Sequence, residues 1–374
     1  MDCDAGVTLG SSDHLKRILA RVERERVPVS GTFDLTYRCN YRCVHCYAGH
    51  LTGQSLARAA EMSTTQVIDL LTAAADAGCL LLLLSGGEPL LRQDFSEVYT
   101  AAKKLGLIVS VFTNASLVRE PHLEAFAQFP PHMVEVSVYG ATQATYERVT
   151  GVPGSFRRAR AGIDRLLDRG VRVGIKTMIL RDNVGEISAL EAWARDLQVP
   201  FRVDPLVTPR LNGDLSPLEQ RVDPSLAAEL EMGREEVRAG IAKFLSAHER
   251  GGSEDVITDD RLYRCGAGTG SFHIDPRGLM HPCLMSTAIA YNAISSGFAD
   301  AWKAVKAEVD QATWDATSAC AKCSSILLCG YCPALFHLED ASPSRPPEYL
   351  CRLGESRLRV VGKQRPEVSR VGSS

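Results

Sequence analysis

Apolar positions along the chain alternate between two periods. Residues 64–77 carry Val67, Ile68, Leu71, Ala74 and Ala75 at helical spacing, with Ser63 placed as N-cap and Gly78 as C-terminal stop. Residues 80–84 follow as an uninterrupted apolar run, the pattern of a parallel strand covered on both faces. The same couplet then recurs. A helix near 95–105 precedes a strand at 108–113, and one near 121–129 precedes a strand at 133–139. Helices at 155–169 and 184–197 precede strands at 172–180 and 201–204. With a further short strand at 32–36, at least six strands alternate with helices before residue 205. Repetition of this kind predicts an α/β fold with a parallel sheet and right-handed crossovers, an open (β/α)6 partial barrel rather than a closed eight-stranded one.

Outside that stretch the rhythm changes. Residues 1–30 read as a polar leader segment with a helix near 13–26. Residues 206–262 form a helical linker, punctuated by Pro209, Pro217 and Pro224 and carrying one long helix at 226–248. Residues 272–275 and 279–281, joined by Pro276-Arg277-Gly278, read as a hairpin opening a small α+β region at 263–360. Residues 361–374 read as a flexible tail.

Composition narrows the function. The 374 residues are 45% hydrophobic and 23% charged, enough for a buried core, and the net charge of −3 argues against a nucleic-acid partner. The longest apolar run is far shorter than a membrane span, and residues 1–10 lack the basic-then-apolar pattern of an export signal. A cytoplasmic protein is therefore expected. In that setting twelve cysteines are an excess that points to metal ligation or catalysis rather than disulfides.

Their placement is informative. Cys39, Cys43 and Cys46 follow a strand in a C-x3-C-x2-C spacing. Three thiolates on one loop can hold three irons of a 4Fe–4S cubane and leave the fourth iron open. A zinc site completed by His45 or His50 is the competing reading. With Tyr47 directly after the third cysteine, the segment resembles the signature of the radical S-adenosylmethionine (radical SAM) superfamily. That resemblance implies that the open iron chelates SAM, which is cleaved reductively to a 5′-deoxyadenosyl radical. Further motifs agree. Ser85-Gly86-Gly87-Glu88 ends a strand where relatives hold the SAM amino group. Thr113-Asn114 ends the next, with Ala115 in place of the usual glycine, and Ser137 matches a ribose-contacting position. Tyr47 would pack near the adenine, and Arg148 is the candidate for the SAM carboxylate.

Seven more cysteines lie at 265, 283, 320, 323, 329, 332 and 351, with Gly278 five residues before Cys283. Their order resembles the SPASM domain, although the last pair is C-x2-C rather than C-x3-C. The resemblance implies two auxiliary 4Fe–4S clusters: one on Cys265, Cys283 and Cys332, the other on Cys320, Cys323, Cys329 and Cys351. The first set lacks a fourth ligand. That site is open, or filled by His273, His281, Asp275, water or substrate. Cys79 reads as a small buried hydrophobe and Cys3 as unliganded.

Three functions follow from this. The first is maturation of a ribosomally made peptide by cross-linking or other oxidation of C–H positions. It would need a separate leader-peptide recognition protein, since 30 residues are too few for such a domain, and a reductase or flavodoxin-type electron donor. The second is sulfatase-type formylglycine formation, for which Leu284 stands where an acidic residue is usual. The third is an iron–sulfur electron carrier that does not use SAM. Tyr139, Asp204, Asp275 and His273 are the candidates for a catalytic base.

Overall fold

In the computed structural model, residues 21–22, 24–51, 61–250, 260–315 and 318–362 are described. Most of the helix near 13–26, Cys3, part of the linker and nearly all of the tail lie outside them. The core is a nine-stranded sheet. Its strands are β1 (Ser30–Asp34), β2 (Leu81–Ser85), β3 (Ile108–Thr113), β4 (Met133–Ser137), β5 (Val173–Met178), β6 (Phe201–Asp204), β7 (Ser271–Ile274), β8 (Leu279–His281) and β9 (Tyr291–Asn292). Strands β1 to β6 lie side by side in chain order and all pair in parallel, as the alternation of periods requires.

The crossovers are helical: α1 (Thr64–Asp76), α2 (Phe95–Lys104), α3 (Glu120–Gln128), α4 (Gln143–Thr150), α5 (Ser155–Asp168) and α6 (Ile187–Asp196). Helix α1 begins in a capping box, the Ser63 hydroxyl accepting from the Gln66 amide and the Gln66 side chain accepting from the Ser63 amide. Helix α4 is an addition to the sequence reading, capped by Thr142 and closed by Gly151 in the left-handed conformation (φ 67°).

Three expectations change. Strand β2 is not covered on both faces, since Leu80 and Leu81 keep 48% and 45% of their surface. The helix expected at 226–248 is two helices, α7 (Pro224–Met232) and α8 (Glu235–Arg250), separated at Gly233. The hairpin is not apart from the core sheet: β7 pairs in parallel with β1, and β8 and β9 extend the sheet beyond it. Phe272 of β7 packs edge-on against Phe33 and Phe298, tying the two parts into one apolar core.

After β9 come α9 (Ala293–Ser296), α10 (Phe298–Gln311), α11 (Pro333–Asp340) and α12 (Glu348–Gly362). Among the described residues no helix is long and apolar enough to cross a membrane.

Side chains alternate along each strand. Val109, Val111, Val134, Val136, Val173 and Ile175 are buried against the helices. The register puts the intervening residues in rows on the opposite face, which is the concave lumen of the partial barrel. There Phe112 neighbours Glu135, Ser137 neighbours Lys176, and Met178 neighbours Asp204.

Candidate cluster and ligand site

The loop after β1 carries Cys39, Cys43 and Cys46, and its backbone is clamped from two sides. Arg42 and Val44 donate their amides to Thr150 and Val149 at the end of α4, at 2.9 and 3.0 Å. Gly87 and Glu88 donate theirs to Thr36 and Arg38, at 2.7 and 2.9 Å. A Cβ on Gly86, whose φ is 130°, would stand 2.2 Å from the Thr36 carbonyl, and one on Gly87 would stand 2.4 Å from that of Arg38. The two glycines are thus demanded by the cysteine loop pressed against them.

Glu88 differs from the expectation. It is fully buried, and both of its oxygens are engaged. Oε1 accepts from Thr113 Oγ1 (2.6 Å) and the Leu90 amide (3.1 Å), and Oε2 from the Asn114 amide (2.8 Å). Burial raises its carboxyl to about 7, and these bonds pull the other way. Asn114 likewise spends its side chain on Asn40, next to Cys39, and on Ser116. Ala115 takes the left-handed conformation (φ 59°), so the turn forms without the glycine expected there. Together these residues form a buried brace from β2 through β3 to the cysteine loop.

Arg148 points away from the cysteine loop. Its guanidinium bonds outward to the Asp182 carbonyl at 2.7 Å, and its side chain is half exposed. Sequence reasoning passed over Arg210, whose guanidinium lies against Gly49 and whose Nε is buried with no hydrogen-bond partner beside the cysteine loop. The Tyr47 carbonyl accepts from the Leu211 amide, and burial followed by the Asp34 carboxylate pushes its phenol far up. Ser85 and Ser137 both stand on the lumen face at strand ends.

The thiols fall into three sets by mutual influence. Burial pushes Cys39 up to about 12, with Glu88 and then Cys46 adding to it. Burial also raises Cys43, with Cys46 and Cys39 behind it. Burial raises Cys283 to about 12, followed by Cys332 and Cys265, and it raises Cys332, on which Cys265 acts as well. Burial raises Cys329 to about 12, followed by Cys320, Cys323 and Cys351. Buried thiols that raise one another are poor company unless a metal displaces their protons. Among the described residues no three His, Cys, Asp or Glu converge on one ion. Zinc would need such convergence, whereas a multi-iron cluster takes each thiolate on its own iron. The donor sets therefore fit iron–sulfur clusters better than zinc.

Two of the expected fourth donors for the middle set, His281 and Asp275, are committed elsewhere. His281 Nδ1 lies 2.9 Å from the Ser286 and Ile289 carbonyls. Asp275 accepts from the Arg277 amide and guanidinium and from the Leu279 amide. His273 faces Asp34, Nε2 to Oδ2 3.2 Å, misaligned for a hydrogen bond. The group that does face the three thiols is the phenol of Tyr263, raised by burial first. Tyr263, Ser286, Ile289, Pro333 and His337 line a cavity of about 240 Å³ beside this set.

The four base candidates are not one constellation. Tyr139 stacks edge-on with His45, and burial keeps its phenol protonated. Asp204 Oδ1 accepts from the Leu206 amide. Asp275 is saturated, which leaves His273. It and Asp34 are buried, and none of their polar side-chain atoms has a hydrogen-bond partner.

Comparison with known proteins agrees with this geometry. Residues 33–193 match the radical SAM superfamily. The chain is 28% identical over 255 residues to Fe-coproporphyrin III synthase of Methanosarcina barkeri, covering 67% of this chain and 59% of that protein. It is 30% identical over 263 residues to the PqqA peptide cyclase of Gluconobacter oxydans, covering 68% of this chain and 70% of that one. Crystal structures of Streptococcus suis SuiB share the fold. The form bound to S-adenosylmethionine has a TM-score of 0.66 at 17% identity and covers 90% of this chain and 81% of SuiB. SuiB has also been solved with its precursor peptide SuiA.

Proposed function

The chain belongs to the radical SAM superfamily, and from that premise we propose that it oxidatively modifies a ribosomally made peptide. Cys39, Cys43 and Cys46 would hold a 4Fe–4S cluster whose fourth iron takes SAM. Held there, such a cluster would supply the one-electron reduction that cleaves SAM. The chain's own part is to hold the loop rigid through Glu88, Gly86 and Asn114 and to present Ser85, Ser137 and Tyr47 toward the bound nucleoside. Residues 263–360 would form a SPASM region with two auxiliary clusters, on Cys265, Cys283 and Cys332 and on Cys320, Cys323, Cys329 and Cys351. Such clusters can accept the electron left when the substrate radical closes its shell. An external one-electron donor and a separate leader-binding protein complete the proposal, and the compartment would be the cytoplasm.

The observation that carries this reading is the grouping of ten thiols into three separate sets, the first at the C-terminal end of a parallel strand where α/β folds place ligands. A second reading, oxidation of a tetrapyrrole side chain, is favoured by the likeness to the AdoMet-dependent heme synthase of Methanosarcina barkeri, 28% identical over 317 residues. One experiment separates the two. The reconstituted enzyme, given SAM and a low-potential reductant, is incubated in turn with the short peptide encoded beside its gene and with Fe-coproporphyrin III. The proposal expects 5′-deoxyadenosine together with a peptide lighter by two hydrogens. Mass loss from the porphyrin alone would move the assignment to the second reading.

A further inference from the structure

The lumen row of the barrel contains a cation with no counter-charge in contact. Lys176 lies on β5 with Ser137 of β4 beside it on one side and Arg202 of β6 on the other. Its Nζ rests 3.0 Å from the centre of the Phe112 ring. The acids nearest in register are engaged elsewhere. Glu135 accepts from Arg202 at 2.8 Å, and Asp204 Oδ1 accepts from the Leu206 amide at 2.9 Å. Among the described residues no carboxylate pairs with Lys176 and no acceptor takes its protons. The residue is partly buried and keeps some accessible surface. Burial, followed by the Arg202 charge, lowers its ammonium to about 7, against the pull of Glu135 and Asp204. An anion arriving in the lumen would reverse that penalty.

Position adds a second argument. Tyr139, two residues after Ser137, sits against His45 of the cysteine loop. Lys176 is thus one strand away from the wall that faces the proposed SAM cluster. The arginine expected to serve the SAM carboxylate, Arg148, points out to Asp182 instead.

We propose that Lys176 is the anchor for a carboxylate of the molecule bound in the lumen, carried either by SAM or by the substrate. The inference deepens the reading above and rests on SAM binding at Cys39, Cys43 and Cys46. A carboxylate suits the site because a lone ammonium over an aromatic ring is a point charge without the bidentate fork of arginine. The groups that face it are Arg202, Glu135 and Asp204, with Phe112 and Ser137 completing the wall.

Competitive labelling of the reconstituted holoenzyme with trace acetic anhydride, read by mass mapping of the Lys176 peptide, tests this without any turnover. With a pKa of about 7, roughly half of the Lys176 amine is free at neutral pH, against about one part in three thousand for an ordinary lysine. Its labelling should therefore level off about three pH units before that of the surface lysines. Saturating SAM should lower it at least several-fold and move the midpoint upward, while decarboxylated SAM should leave it unchanged. Protection by succinate but not by SAM would assign the carboxylate to the substrate and support the same site. Equal protection by SAM and decarboxylated SAM would mean simple shielding and overturn the proposal. So would the absence of protection by any of the three, or a labelling midpoint equal to that of surface lysines. Lys176→Arg should retain SAM binding or substrate capture where Lys176→Met loses it by tenfold or more, with both variants folded by circular dichroism. Failure of the wild type to form 5′-deoxyadenosine would refute the functional reading itself, whatever the labelling shows.

Discussion

Replacing Glu88 tests whether this carboxylate is a brace or a ligand. Its two oxygens satisfy three buried donors: Thr113 Oγ1, the Asn114 amide and the Leu90 amide. Glu88→Ala leaves them with no acceptor and no room for bulk water. At about 1–3 kcal/mol for each stranded donor, and with the Thr113 hydroxyl free to rotate, the loss should be about 3–5 kcal/mol. That is a large part of a typical folding free energy of about 5–15 kcal/mol. Glu88→Gln should cost less. Its carbonyl can accept from Asn114 while its amide donates to Thr113 Oγ1, so only Leu90 is stranded, at about 1–2 kcal/mol.

The same side chain sets a pH dependence. The folded carboxyl near 7 lies above its ordinary 4.5, so the folded chain keeps a proton that the unfolded chain gives up. Stability should therefore fall as pH rises from about 4.5 to 7, by about 3 kcal/mol at 1.36 kcal/mol per unit, and Glu88→Gln should abolish that slope. Urea denaturation of the cluster-free protein followed by tryptophan fluorescence measures both effects. With a slope of about 2–3 kcal/mol per molar urea, Glu88→Ala should unfold about 1–2 M earlier. If Glu88→Ala unfolds within 0.3 M of wild type, at roughly 1 kcal/mol or less, while SAM affinity collapses, the brace is refuted and the carboxylate is a SAM ligand.

Gly86→Ala combines a φ of 130° with a Cβ 2.2 Å from the Thr36 carbonyl, so it should displace the cysteine loop and prevent stable iron loading at the first site while leaving the C-terminal clusters. Metal analysis together with Mössbauer spectra would read that out. Changing Cys39, Cys43 and Cys46 together to alanine should abolish 5′-deoxyadenosine formation and remove about four of about twelve irons per chain, and stoichiometric zinc in their place would contradict the three-cluster assignment. Arg148→Ala, which cuts only an outward contact to Asp182, should change the rate of SAM cleavage less than about threefold, and a loss of tenfold or more would restore it to the site.

The parallel core was legible because its signal is local. Capped amphipathic helices alternating with apolar strands recur every few tens of residues, and strands such as 108–113 and 201–204 form where their β-branched and aromatic residues put them. Helix α4 was missed because its eight residues average out as polar, and the break at Gly233 was missed because one glycine interrupts an otherwise continuous apolar stripe. The cysteine spacings marked the candidate loops, but what holds those loops lay beyond the pattern. Glu88 looked like a ligand because a free carboxylate beside two glycines invites that reading. Its three donors come from separate segments and meet only in the folded chain. The outward course of Arg148 was hidden for a related reason: the direction a side chain takes from a short helix is set by neighbours such as Asp182, 34 residues away. The charged lumen row was within reach, since Glu135, Ser137 and Lys176 alternate with buried residues in their strands. The pairing of β7 with β1 left no local trace at all.

That last pairing has a consequence for how the molecule is made. Strand β1 precedes the first cysteine loop, yet Ser30 finds its second strand neighbour at Ser271. While the chain emerges from the ribosome, β1 can be covered by β2 early but keeps its other edge bare until some 240 residues later. A bare central edge beside reactive thiols invites both strand exchange and misplaced oxidation. Iron delivered before β7 arrives would meet a loop whose leading strand is paired along one edge only. Assembly should therefore proceed in an order fixed by translation, with the last-made hairpin acting as the latch. An expression system that slows metal supply relative to synthesis should then yield more correctly loaded enzyme than one flooded with iron from the start.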